Sequence, residues 1–171
     1  MKGYIQVYTG NGKGKSTAAF GLALRGAGAG LRIYIGQFLK GSRYSELESI
    51  KKLSGLITLK QYGRTGFIRN HPSTEDIAQA KAGLHEIKEI VRAGHHQIVI
   101  LDEVNVAISY NLLSVEDLLE VMDRKHPSVE LVFTGRDADQ KIIDRADLVT
   151  EMKEIKHYYR KGVPARVGIE K

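Results

Sequence analysis

Hydrophobic positions along the chain fall into short strand-like runs separated by stretches with helical spacing. Tyr4-Ile5-Gln6-Val7-Tyr8 alternates with the period of a strand, while Ile98-Val99-Ile100-Leu101 is a continuous apolar run of the kind buried on both faces of a sheet. The pattern predicts strands at 4–9, 32–38, 56–61, 97–102, 129–134 and 147–151, with a possible last one at 165–170. It predicts helices at 15–28, 44–54, 74–93, 114–125 and 137–145. The helix at 74–93 carries Ile77, Ala80, Leu84, Ile87, Ile90 and Val91 on one face. Ser73 and Thr74 before Glu75 and Asp76 mark its start, and Gly94 marks its end. Ser114-Val115-Glu116-Asp117 reads as a capping box with Asp in place of Glu, and Leu118, Leu119, Val121 and Met122 behind it read as core. Strands alternating with helices predict an α/β fold, a mainly parallel sheet flanked by helices.

Composition narrows this picture. A chain of 171 residues is expected to form a single domain, 1–171, able to bury about 70% of its unfolded surface without disulfide or metal. There is no cysteine, which excludes a disulfide framework, a thiol nucleophile and a Cys-ligated metal. That fits a reducing cytoplasm. No apolar run approaches the roughly 20 residues of a membrane span, so no membrane role is expected. The sequence enters its first strand almost at once, and no signal peptide is expected. The net charge is +6 and the isoelectric point about 9.4. The basic residues are spread out and do not interleave with aromatics, which argues against nucleic acid and suits a polyanionic small ligand.

The candidate chemistry starts at the end of the first strand. Gly10-Asn11-Gly12-Lys13-Gly14-Lys15-Ser16-Thr17 lies between strand and helix, where glycines let backbone N–H groups turn toward anionic oxygens and the helix N-terminus adds partial positive charge. Lys15 is placed to reach a terminal phosphate and Ser16 to ligate Mg²⁺. The loop departs from the G-x-x-x-x-G-K-[ST] spacing, because Thr9 stands where the first glycine belongs and Gly10 makes the span one residue shorter. With the strand and helix alternation, this loop predicts a P-loop NTPase-like, RecA-like domain that binds a nucleoside triphosphate. Asp102 and Glu103 end the buried strand, where carboxylates bind Mg²⁺ directly or through water. Arg136 follows the strand Leu131–Thr134 and is placed to reach the triphosphate, the alternative being a surface arginine paired to Asp137 or Asp139. Arg25 lies nearly three helical turns beyond Lys15 and, taken alone, reads as a surface cation. His95 and His96 read as a solvated helix end, not a metal site. The irregular stretch 62–73, rich in glycine and arginine, follows a predicted strand where a parallel sheet places ligand contacts.

Several motifs together resemble one family. Gly10 to Ala19, Leu101-Asp102-Glu103-Val104-Asn105, Thr134-Gly135-Arg136, and the C-terminal pattern Glu151-Met152, Lys156-His157, Gly162 and Gly168-Ile169-Glu170 resemble the P-loop-type ATP:corrinoid adenosyltransferases, over about residues 3–170. The resemblance implies that a reduced corrinoid attacks ribose C5′ of ATP and expels inorganic triphosphate, yielding adenosylcobalamin, with ATP held reversed relative to ordinary P-loop NTPases. It implies that Gly10 to Ser16 cradle the triphosphate, that Lys13, Lys15 and Arg136 stabilise it, and that Ser16 and Glu103 hold Mg²⁺ with Asp102 nearby. Thr17 and Arg25 would add nucleotide contacts. It also implies a homodimer and an external electron donor such as a flavoprotein. Phe67, in Gly63-Arg64-Thr65-Gly66-Phe67-Ile68-Arg69, matches one of two aromatics beside the corrinoid, while Arg69 replaces the second, a tryptophan. Family members often carry a segment ahead of the first strand that covers the partner's site. This sequence begins at the strand, so closure over the corrinoid is expected to be done otherwise. The residues alone leave two other readings open, another P-loop ATPase or small-molecule kinase, and a nucleic-acid-binding ATPase.

Overall fold

The computed structural model describes residues 2–41, 44–64 and 71–170. The strands are β1 (Ile5–Thr9), β2 (Ile33–Phe38), β3 (Ile57–Tyr62), β4 (Ile98–Asp102), β5 (Glu130–Thr134) and β6 (Leu148–Glu151). The α-helices are α1 (Lys15–Gly28), α2 (Ser45–Lys51), α3 (Thr74–Ala93), α4 (Val104–Ser109), α5 (Val115–Arg124) and α6 (Gln140–Arg145). The strands form one sheet in the order β3-β2-β4-β5-β1-β6, with every pairing parallel. The P-loop NTPase-like, RecA-like architecture expected from the loop is thus realised as a six-stranded parallel sheet flanked by helices.

Strand β4 lies inside the sheet and is buried at all five positions, which explains its unbroken apolar run. Val99 and Leu101 face a layer built from α3, α4, α5 and α6, while Ile98 and Ile100 face the layer of α1. Helix α1 meets the sheet through Ala19, Ala23 and Ala27, small side chains that let its backbone lie close. The capping box predicted at Ser114 is present, its hydroxyl accepting from the Asp117 N–H at 3.1 Å, and the predicted helix start at Ser73 is a second one, accepting from the Asp76 N–H at 3.2 Å.

Two elements differ from the sequence pattern. Helix α4 is six residues long, too short to show a period, and follows β4 directly through Glu103. Residues 165–170 form turns in place of a strand, because the C-terminal chain leaves the sheet after β6 and folds back over the loop that follows β1.

Helix α3 packs against the sheet at a glycine. A Cβ on Gly83 would stand 2.3 Å from Cγ of Tyr62, a contact that requires movement of backbone or ring. Gly83→Ala gains helix propensity worth about 1 kcal/mol but overpacks this contact, at a cost of roughly 1–3 kcal/mol. Net destabilisation is the expected outcome, read as a lower urea midpoint with an unchanged slope.

Candidate active site

All six strands point the same way, so their C-terminal ends share one edge of the sheet, where open α/β folds bind ligands. Three strand ends meet there: the loop after β1, Asp102 at the end of β4 with Glu103 following it, and Gly135-Arg136 after β5. Strand β5 sits between β1 and β4, which leaves room between the loop and the carboxylates. A cleft of about 1100 Å³ opens at this edge, lined by Asn11 to Thr17 of the loop and by Lys40, Glu103 and Arg136.

The loop turns through left-handed backbone at Gly10 (φ 93°) and Gly14 (φ 119°), conformations that side chains resist. Gly14 also caps α1 without a side chain, so the helix N-terminus faces the cleft. The Lys15 ammonium folds back over the loop and donates to the carbonyls of Gly10 and Gly12, at 2.7 Å each. Burial pushes its pKa down, the neighbouring Arg136 charge adds to this, and Glu103 and Asp137 oppose it. Thr9, the residue that breaks the usual spacing, is buried, and its hydroxyl accepts from the Ala138 N–H at 3.2 Å. The position is filled by a side chain tying β1 to the segment after β5.

Asp102 is fully buried beneath the cleft. Its carboxylate accepts from Thr134 Oγ1 at 2.8 Å, Lys40 Nζ at 2.9 Å and Gln37 Nε2 at 3.1 Å, with Ser16 close enough to favour the ionised form. Burial pushes the carboxyl up, but the Lys40 ammonium and these hydrogen bonds outweigh it and hold the group below its ordinary value. Glu103 is different. It takes a left-handed conformation (φ 60°), and its N–H donates to Thr134 Oγ1 at 2.9 Å. A strained non-glycine residue at a strand end is the kind of feature found where a side chain must be aimed. Its carboxylate lines the cleft, and burial, then the Asp102 charge, raises its pKa. Ser16 and Glu103 are therefore hard oxygen donors on the cleft wall, a set that fits a Mg²⁺ ion whose remaining ligands are phosphate oxygens and water. Asp102, held by Thr134, Lys40 and Gln37, sits behind them.

The structure brings Asn11 to Thr17, Glu103 and Arg136 around one cleft. Arg136 is exposed, and among the described residues it forms no ion pair with Asp137 or Asp139. Lys13, expected to touch triphosphate, lines the cleft but gives its ammonium to the C-terminal segment. Arg25 is not brought in: ten residues along α1 carry it about 15 Å from Lys15, onto an exposed face. Phe67 and Arg69 lie outside the described residues. Among the described residues no group of three or more His, Cys, Asp or Glu side chains is placed to hold a metal, and no helix is long and apolar enough to cross a membrane.

Lys40 was not legible as a site residue. It lies two positions beyond β2, on the same strand-end edge, and that edge position is the signal that marks it. Its ammonium also stands 5.3 Å from the Tyr44 ring centre.

Comparison with known proteins decides what this cleft belongs to. A family model described as ATP:corrinoid adenosyltransferase BtuR/CobO/CobP matches residues 1–170. The chain belongs to this family. A corrinoid adenosyltransferase from Sinorhizobium is 37% identical over 99% of this chain and 80% of its own length. The Escherichia coli corrinoid adenosyltransferase is 32% identical over 99% of this chain and 86% of its own length. Corrinoid adenosyltransferase CobA of Salmonella typhimurium is 33% identical with the same coverage. Among solved structures, a KaiC-like protein from Pyrococcus horikoshii superimposes with a TM-score of 0.61 over 88% of this chain and 73% of its own, at 19% identity, a likeness of fold alone. Membership of the family implies ATP and a corrinoid as substrates of the chain and an ATP:corrinoid adenosyltransferase activity.

Proposed function

We propose that this adenosyltransferase moves the 5′-deoxyadenosyl group of ATP onto reduced corrinoid cobalt and releases inorganic triphosphate intact. The observation that carries the reading is the set of groups around one cleft: a phosphate loop one residue short, the ammonium of Lys15, the guanidinium of Arg136 and the carboxylate of Glu103. The cobalt(I) electron pair attacks C5′ and forms the cobalt–carbon bond. The C5′–O5′ bond breaks, its electron pair leaves with triphosphate, and cobalt becomes formally cobalt(III). No proton has to be removed from the nucleophile, so no general base is required.

The protein's task is then electrostatic. Charge grows on the bridging oxygen as triphosphate departs, and fixed donors aimed there lower the barrier, each contributing on the order of 3 kcal/mol. Lys15 and the loop N–H groups between Gly10 and Ser16 other than that of Gly12, which is bonded to the Met152 carbonyl, supply them, with Arg136 reaching from β5 and Asn11 and Thr17 flanking the nucleotide. Ser16 and Glu103 hold Mg²⁺, which when bound offsets part of the triphosphate charge. Asp102 orients this pair through Ser16 and Thr134, and Phe67 belongs to the corrinoid side. The chain works as one nucleotide-binding domain. With no cysteine to carry electrons, cobalt(I) is supplied by an external donor such as a flavoprotein. A cytoplasmic homodimer belongs to the same reading, supported by the edge strand β6, whose residues are all exposed.

The test is anaerobic incubation of the chain with ATP, Mg²⁺ and chemically reduced cobalamin, followed in the visible spectrum. Growth of the adenosylcobalamin bands at the rate of ATP loss is expected. ATP consumption with no cobalt–carbon bond would instead support a hydrolase or kinase.

A further inference from the structure

The C-terminal pattern from Glu151 to Glu170 takes no part in the chemistry above, yet it packs on the phosphate loop at two places. At the first, Met152 donates its N–H to the Thr9 carbonyl at 2.8 Å and accepts from the Gly12 N–H at 2.6 Å. The approach is close enough that a Cβ on Gly10 or Gly12 would stand 2.5 Å or 2.7 Å from the Met152 carbonyl oxygen. At the second, the chain returns and grips Lys13. The Lys13 ammonium donates to Glu170 Oε1 at 2.8 Å, Tyr158 OH at 3.0 Å and the Ile169 carbonyl at 3.1 Å. An ammonium has three N–H donors, and these three acceptors use all of them. Glu170 is held in turn by Arg166, through its backbone N–H at 2.9 Å, Nε at 3.3 Å and Nη2 at 3.1 Å, and by the Tyr158 hydroxyl. The Arg166 guanidinium stacks 4.9 Å from the Tyr158 ring centre. Between the two anchors, His157, Gly168, Ile169 and Glu170 line the same cleft as the loop.

We propose that Lys13 and Glu170 are a pair of positioning residues that clamp segment 152–170 across the phosphate loop, making it the outer wall of the ATP site. Lys13 therefore acts on ATP through this wall and does not touch triphosphate. The inference rests on the reading of the cleft as the ATP site. An isolated exposed ion pair would count for little. Here the Glu170 side chain is only 15% exposed and collects bonds from three side chains and a backbone N–H, so the pair is the centre of a network. Freeing Lys13 for a phosphate would give up three bonds and release the wall at the same time.

The test is a double-mutant cycle on the full chain with Lys13→Ala, Glu170→Ala and both together. It is read as ATP affinity by equilibrium titration, as KM and kcat in the corrinoid assay, and as amide hydrogen exchange across 153–169. Each single variant is expected to weaken ATP binding about tenfold, with the loss falling on KM and not on kcat. The double variant is expected to be no worse than either single, because both remove the same clamp. Exchange across the segment is expected to accelerate in both. Lys13→Arg, which keeps a cation facing Glu170, is expected to restore affinity, whereas Tyr158→Phe, a milder change, should show a partial loss. If Lys13 loses kcat, Glu170→Ala binds ATP as well as the unaltered chain or better, and the two losses multiply, Lys13 is a triphosphate ligand and the proposal is overturned. The titration and exchange arms need no corrinoid, so they decide the clamp even if no cobalt–carbon bond forms. A missing bond would count against the proposed reaction alone.

Discussion

Lys15→Ala is expected to lower kcat by about 10²–10³-fold, the usual consequence of removing one fixed donor from a developing anion. The residue is only 8% exposed, and its ammonium bridges the Gly10 and Gly12 carbonyls at 2.7 Å each. Those two bonds hold the charge in place before ATP arrives, so little reorganisation is needed when the C5′–O5′ bond breaks. Removing the ammonium has a second effect, because it leaves two carbonyls turned inward without their donor and so weakens the loop that presents its N–H groups. ATP affinity should therefore fall as well. The check is steady-state kinetics with reduced corrinoid, alongside a far-ultraviolet spectrum to show that the fold persists. Turnover like that of the unaltered chain would remove the loop from the mechanism.

Lys40→Met is expected to act mainly on stability. Asp102 has no exposed surface, Lys40 lies 2.9 Å away with its side chain 15% exposed, and no other cationic side chain hydrogen-bonds Asp102 among the described residues. Breaking a buried pair from one side leaves an uncompensated charge and costs about 3–5 kcal/mol. The pH dependence has a definite sign. In the unaltered chain the Asp102 carboxyl is held below its ordinary value, so its contribution is present above the unfolded pKa and fades as pH falls through the folded one. In Lys40→Met, burial is opposed only by the remaining hydrogen bonds, from Thr134 and Gln37 among them, and with the largest opposing charge gone the folded carboxyl is expected to rise above the unfolded one. That variant then prefers the proton, and its deficit should narrow as pH falls from neutral toward the ordinary carboxylate range. Urea unfolding at pH 7 and pH 5 measures both. A deficit that is constant with pH would mean that Lys40 contributes packing and not charge.

Much of this was legible in the sequence because local rules and tertiary packing agree. The unbroken run Ile98–Leu101 announced a strand covered on both faces, and β4 is such a strand. Ser73 with Asp76 and Ser114 with Asp117 announced two helix starts, and both are doubly bonded caps. The phosphate loop was legible from its glycines and the Lys-Ser pair, since those residue types are needed wherever backbone must approach an anion. Helix α4 was hidden because six residues are fewer than two turns and its start, Glu103, uses a left-handed backbone in place of a recognised cap. Lys40 was hidden because its partner Asp102 is 62 residues away, and only the β2–β4 register, which sets Gln37 beside Asp102, brings them together. The grip of Glu170 on Lys13 spans 157 positions and carries no local pattern at all. Arg25 entered only through the motif match; it stands on an exposed position of α1, outside the residues that line the cleft.

The central claim is that the loop holds a triphosphate that leaves whole. Phosphorus NMR of a completed anaerobic reaction with ATP and reduced cobalamin tests it most directly. The account predicts inorganic triphosphate in a one-to-one ratio with adenosylcobalamin formed. Orthophosphate with ADP, or pyrophosphate with AMP, appearing as the first phosphorus products would contradict it.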